Sequence, residues 1–192
     1  MKNSLILIAI AACTIMTACE SEERSQIRTG STEMTVASRQ RQNDIAPILP
    51  VRTREGKLVE LSEAAEPIMV LAFVDSKGDC DYVDGRLRDL ASSLSLEGIT
   101  VVQISEGCED CGQLVEQINI DRENFMVLCD GKQIAHEAFR GPSSGSVYVI
   151  NQNDRIVYES NMNDLGRVQR EAKRANKEYE EYLYDVLRND FN

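Results

Sequence analysis

The stretch Ile68-Met69-Val70-Leu71-Ala72-Phe73-Val74 contains no polar residue. Seven apolar side chains without alternation fit a strand covered on both faces, as in the middle of an α/β sheet. Beyond Asp79, Val83, Leu87, Leu90 and Leu94 recur at spacings of four, three and four, which predicts a helix with one buried stripe. Ile99 to Ile104 reads as a second buried strand. Cys111, Leu114 or Val115, and Ile118 suggest a second helical stripe. Phe125 to Leu128 follows as a third strand, then a short helix from Gln133 to Phe139. Val147 to Ile150 and Arg155 to Tyr158 form a hairpin around Asn151 to Asp154. On the other side, Ile48 to Leu61 reads as a hairpin turning at Arg54-Glu55-Gly56-Lys57. Val168, Ala172, Ala175, Tyr179, Tyr182 or Leu183, and Val186 lie along a long terminal helix. Its normal use is packing on the sheet, and its length beyond Tyr179 offers a surface for a partner. Strand, helix, strand, helix, strand, hairpin, helix is an α/β pattern with right-handed crossovers.

The start of the chain sets the expected compartment. Lys2 precedes an apolar core, Leu5 to Ala12, too short to span a bilayer. Met16-Thr17-Ala18-Cys19 then resembles the lipobox of bacterial lipoproteins. That resemblance implies cleavage before Cys19, lipid on its thiol, and a place in the cell envelope, at the outer membrane or the outer face of the inner one. The expected divisions are a signal peptide at 1–18, a polar flexible tether at 19–46, a domain at 47–163 and a C-terminal helix at 164–192. About 170 residues after the signal suffice for one domain with a proper core. The net charge of −11 argues against nucleic acid and against docking on anionic lipid. One histidine and no glycine-rich phosphate loop leave hydrolase and nucleotide-binding readings without support. No cofactor is expected, and the oligomeric state stays open.

With Cys13 in the signal and Cys19 lipidated, Cys80, Cys108, Cys111 and Cys129 remain. An even set in an exported protein favours disulfides, and spacing does not choose among the pairings.

The pattern from about Ile48 to Asn163 resembles the thioredoxin-like superfamily, in the branch shared by redoxins and peroxiredoxins of the alkyl hydroperoxide reductase type. The residues that carry it are Gly56-Lys57-Leu58-Val59-Glu60-Leu61-Ser62 before Val70-Leu71-Ala72-Phe73, then Val101-Val102-Gln103-Ile104-Ser105. Met126-Val127-Leu128-Cys129-Asp130 and Val147-Tyr148-Val149-Ile150-Asn151 to Ile156-Val157-Tyr158 complete it. The resemblance implies a central mixed sheet of about five strands flanked by helices, with an N-terminal hairpin and a long C-terminal helix. It also implies that Cys80 opens the helix after the first core strand, in the place of the family's nucleophile. Cys80-Asp81-Tyr82-Val83 looks like a Cys-x-x-Cys site whose second cysteine has become valine. Asp84 stands where copper chaperones of the oxidase-assembly type keep theirs. Phe73 and Lys77 replace the proline and threonine of peroxiredoxins, and Ser146 occupies the usual cis-proline place, so a standard peroxidase is not expected.

Charge points the same way. Asp79, Asp81 and Asp84 crowd Cys80, and Glu106, Glu109 and Asp110 flank Cys108 and Cys111, which disfavours thiolate. Three readings of the cysteines follow. The first is thiol–disulfide redox chemistry with protein thiols, with Cys80 as nucleophile or Cys108 and Cys111 as a couple, and Cys129 as a third redox or buried thiol. The second is a structural Cys108–Cys111 disulfide with Cys129 a core thiol. The third is a non-catalytic module that binds a protein partner or delivers copper or zinc, with Cys80, Cys108 and Cys111 as candidate ligands. His136 reads as a surface or capping residue rather than a ligand.

Overall fold

A computed structural model of the protein describes residues 44–79, 82–108, 114–118 and 124–190. Its centre is the stretch that reads as a doubly covered strand: β3, Ile68–Asp75, is buried along its length except at the terminal Asp75. Val70 and Ala72 face one hydrophobic cluster and Leu71 and Phe73 the other. The period of two along a strand makes this division.

Eight strands form one mixed sheet: β1 (Pro50–Arg52), β2 (Leu58–Glu60), β3, β4 (Ile99–Glu106), β5 (Val115–Ile118), β6 (Phe125–Asp130), β7 (Ser146–Ile150) and β8 (Ile156–Asn161). Their order is β2-β1-β5-β6-β4-β3-β7-β8. β3, β4 and β6 run parallel side by side, with Ala72 opposite Gln103 and Ser105 opposite Cys129. The β7–β8 hairpin pairs antiparallel to β3. The five core strands expected from the apolar runs are all present, in a mixed sheet with helices on both faces.

Four helices are described: α1 (Leu61–Ala64), α2 (Gly85–Leu94), α3 (Ile134–Ala138) and α4 (Leu165–Asp190). α2 and α4 cover one face, burying Leu87, Leu90, Ala91 and Leu94 with Val168, Ala172 and Ala175. α1 and α3 cover the other, where Phe73, Phe139 and Tyr148 stack edge to face. Lys173 bonds Glu97 at 2.6 Å and Gln169 bonds Ser93 at 3.0 Å, tying α4 to α2 and the loop after it.

The apolar stripe of α4 is buried only as far as the sheet reaches. Tyr179 is partly covered, whereas Tyr182 and Leu187 are 58% and 56% exposed. Leu187→Ser should therefore change unfolding free energy by no more than about 0.5 kcal/mol. Ala172→Leu forces methylenes between helix and sheet and should cost about 1–3 kcal/mol. Thermal denaturation of the two variants checks the contrast.

Three local expectations are corrected. Val115–Ile118 is a strand, not part of a helix. It lies parallel to β1 and antiparallel to β6, and supplies the ladder that joins the N-terminal hairpin to the rest of the sheet. Backbone pairing on both sides outweighs the helical spacing of its apolar residues. Leu61 leaves the return strand of the hairpin and opens α1. The helix after β3 starts at Gly85 rather than at Cys80, because Asp84 is its N-cap.

Candidate functional site at the carboxyl edge of the parallel strands

The parallel strands β3, β4 and β6 end together, with Asp75 opposite Glu106 and Glu106 opposite Asp130. Open α/β sheets place their sites at such an edge. Beyond β3 the chain turns through Lys77 and Gly78, both at positive φ. Asp79 N–H donates to the Ser76 carbonyl and Tyr82 N–H to the Asp79 carbonyl. Cys80 lies outside the described residues, as does Cys111; so do Cys19 and the rest of the expected signal and tether up to residue 43.

Two of the four candidate cysteines are described, and they share this edge. Cys108 follows the end of β4, after Gly107 at φ +77°, and is 2% exposed. Cys129 is the penultimate residue of β6, equally buried, in register with Ser105 of β4 and Glu116 of β5. Cys129 is in a disulfide and Cys108 is not. This reverses the arrangement in which Cys108 joins Cys111 and Cys129 stays a core thiol. The basis for that pairing, one helical turn carrying both cysteines, does not extend to the described part, since 115–118 is strand.

The Cys108 sulfur lies 3.5 Å from Ser76 Oγ. The Ser76 hydroxyl donates to the Glu106 carbonyl at 2.6 Å, so its proton is committed. Its oxygen can then only accept from the thiol, and a bond from S–H to an acceptor favours the protonated form.

Beneath residues 82–84 lies a buried polar network. Gln103, in the middle of β4, is fully buried. Its Oε1 accepts from Asp84 N–H at 2.9 Å, and its Nε2 donates to the Tyr82 carbonyl at 2.7 Å and to Ser105 Oγ at 2.9 Å. Asp84 Oδ1 caps α2 by accepting from Arg86 N–H at 2.9 Å, and Arg86 Nη2 meets Asp84 Oδ2 at 2.8 Å. The Arg86 side chain is the largest cause that holds the Asp84 carboxyl below the ordinary aspartate value of 3.8. The sign follows: a depressed folded value means that the stabilisation is complete above pH 3.8 and is lost as pH falls through the folded value. Asp84→Ala should cost about 1 kcal/mol near neutrality, as loss of an N-cap. The gap between variant and parent in urea melts should shrink on acidification.

Asp84, Arg86 and Tyr82 line one side of a cleft of about 320 Å³. Ser144, Gly145, Asn161 and Asn163 line the other, and Asp75 sits at its floor with Phe73 and Val74. Gly145 N–H donates to the Phe73 carbonyl at 2.7 Å, and Asp75 N–H to Ser144 Oγ at 3.1 Å, which fixes the loop before β7 against β3.

On the α3 side of the edge His136 Nδ1 lies 2.5 Å from Glu106 Oε1, and His136 N–H donates to Asp130 Oδ2 at 2.9 Å. The single histidine thus packs against an acid at a strand end, in keeping with a non-ligand reading. Asp130 is 1% exposed and its Oδ1 has no hydrogen-bond partner. Among the described residues no group of three or more His, Cys, Asp or Glu is arranged to hold a metal ion. Ser76, Gln103, Ser105 and the Glu106–His136 contact escaped the sequence reading. The available signal was Thr100, Gln103 and Ser105 inside an otherwise apolar strand: polar groups buried there need partners.

No protein-family model matches the chain, and no curated protein does. Solved structures do. One is BsSco, a member of the Sco family of cytochrome c oxidase assembly proteins in which a disulfide switch was identified. It shares 14% identity over 70% of this chain and 95% of its own, with a TM-score of 0.50. Others are a thiol:disulfide interchange protein DsbE from Chlorobium tepidum (15% identity, 70% and 97% coverage, TM-score 0.48) and the bacterioferritin comigratory protein of Xanthomonas campestris (13%, 72% and 97%, 0.44). At such identities the likeness to BsSco shows the fold alone. The chain has a thioredoxin-like fold.

Proposed function

We propose that this chain is a lipid-anchored, thioredoxin-like protein of the cell envelope that takes part in thiol–disulfide chemistry with protein partners. The observation that carries the reading is the pair of sulfur states at one sheet edge. Cys129 is a half-cystine and Cys108 a thiol, at the ends of adjacent parallel strands. A disulfide beside a thiol is the minimum equipment for exchange, in which an attacking thiolate takes one sulfur and the other leaves as a thiolate. Cys80 follows β3 beside the cleft and is the nucleophile in this reading. The partner of Cys129 is drawn from Cys80 and Cys111. Cys108, buried and bonded to Ser76, acts later or not at all. The lined cleft has room for a short segment of a partner chain next to that chemistry.

A redox titration with thiol counting tests the proposal. A reversible two-electron couple assigned by peptide mapping to Cys129 and one of its candidate partners is expected. A disulfide that no thiol reductant opens without unfolding the protein leaves the non-catalytic reading. Tight, stoichiometric Cu(I) or Zn(II) on the reduced protein favours metal delivery instead. For the anchor, Cys19→Ser should release the protein from the membrane fraction in its host; unchanged retention removes the lipoprotein reading.

A further inference from the structure

The helix after β3 begins late for a visible reason. Were it to run on through residues 80–84, the Tyr82 carbonyl would accept from Arg86 N–H, and Asp84 N–H would turn back to the carbonyl of residue 80. Instead Arg86 N–H goes to Asp84 Oδ1, and both other groups go to Gln103. One buried side chain from the neighbouring strand therefore takes over two backbone bonds of a helical turn. The segment itself does not forbid that turn. Cys80-Asp81-Tyr82-Val83-Asp84 holds neither proline nor glycine, and Val83 continues the apolar spacing of Leu87, Leu90 and Leu94. Asp79 stands ready as an alternative N-cap, which would make Cys80 the first helical residue.

We propose that Gln103 is a positioning residue that holds residues 82–84 unwound and thereby keeps the start of α2 away from Cys80, restraining its thiol. The physical basis is the field of a helix N-terminus, which favours thiolate within the first turn and fades beyond it. Gln103 is well placed to set this. It is fully buried in β4, all three of its bonds are between 2.7 and 2.9 Å, and the third ties it to Ser105, opposite Cys129. This deepens the reading of Cys80 as the redox thiol and rests on it.

The test uses the reduced full-length chain, alkylated with iodoacetamide at one near-neutral pH, with Cys80 followed by peptide mass spectrometry. Gln103→Met keeps the volume and removes all three bonds. It should raise the Cys80 rate roughly tenfold, the effect of about one unit of thiol pKa, and slow amide exchange at residues 82–84 as a new turn forms. A folded variant with Cys80 alkylation within about twofold of the parent overturns the proposal. Should Gln103→Met fail to fold, Asp84→Ala against Asp84→Asn decides. Both remove the charge, but asparagine still caps at 84. Faster alkylation in the alanine variant supports the latch, and equal rates overturn it. Absence of any reversible disulfide in the parent would sink the redox reading separately, since the alkylation rates still rule on Gln103.

Discussion

Phe73→Ala is expected to cost about 3–5 kcal/mol, the range for removing a buried aromatic side chain from a packed core. Phe73 is fully buried on the central strand, and its ring meets Phe139 at 5.4 Å and Tyr148 at 6.1 Å, both edge-on. The cavity cannot close easily, because β4 and β7 flank it and hold their registers over the whole length of contact. Against a total stability of about 5–15 kcal/mol, such a loss leaves a sizeable unfolded population. Phe73→Leu keeps much of the volume and should cost less than about 1.5 kcal/mol. Urea denaturation of the three proteins measures both differences. An alanine variant within about 1 kcal/mol of the parent would mean that the aromatic trio is not packed as described.

Cys129→Ala should have the second-largest effect, and a conditional one. The disulfide restricts the unfolded chain, so its loss typically costs about 2–4 kcal/mol under oxidising conditions. In reductant the parent loses the same constraint, and the gap should close to the small packing difference between a buried cysteine and alanine. Paired melts with and without reductant read this directly. Equal gaps in both conditions would show that the Cys129 sulfur contributes packing and nothing covalent. The same substitution should remove the reversible couple from a redox titration.

The sequence made the centre of this fold readable because doubly covered strands need unbroken apolar runs. Ile68 to Val74, Ile99 to Ile104 and Phe125 to Leu128 all fall inside observed strands. The buried part of α4 was equally plain, since Val168, Ala172 and Ala175 recur at helical spacing and are all covered. Short elements were not. The four residues of β5 have no period of their own to show, and their state is decided by β1 and β6, which come from opposite sides in sequence. The start of α2 was misplaced for a related reason. Its cap is local, but the bonds that hold the preceding residues come from Gln103 on another strand. At the site, the gathering of Cys108 and Cys129 at one edge followed from strand order. Which of them carries a disulfide did not, because pairing depends on side-chain directions at loop ends, which spacing does not encode.

The cover that α4 gives β3 also sets an order of events for a chain emerging amino end first. β3 lies at 68–75, yet its antiparallel neighbour is 146–150 and the helix that seals its outer face buries Val168, Ala172 and Ala175. Until those last turns appear, the most apolar stretch of the domain has one face open and one edge unpaired. Folding must therefore wait for nearly the whole domain, and closing such distant contacts is slow compared with making local helices. During that interval β3 is the segment that a chaperone would need to shield, and the final helix is the signal that shielding can end.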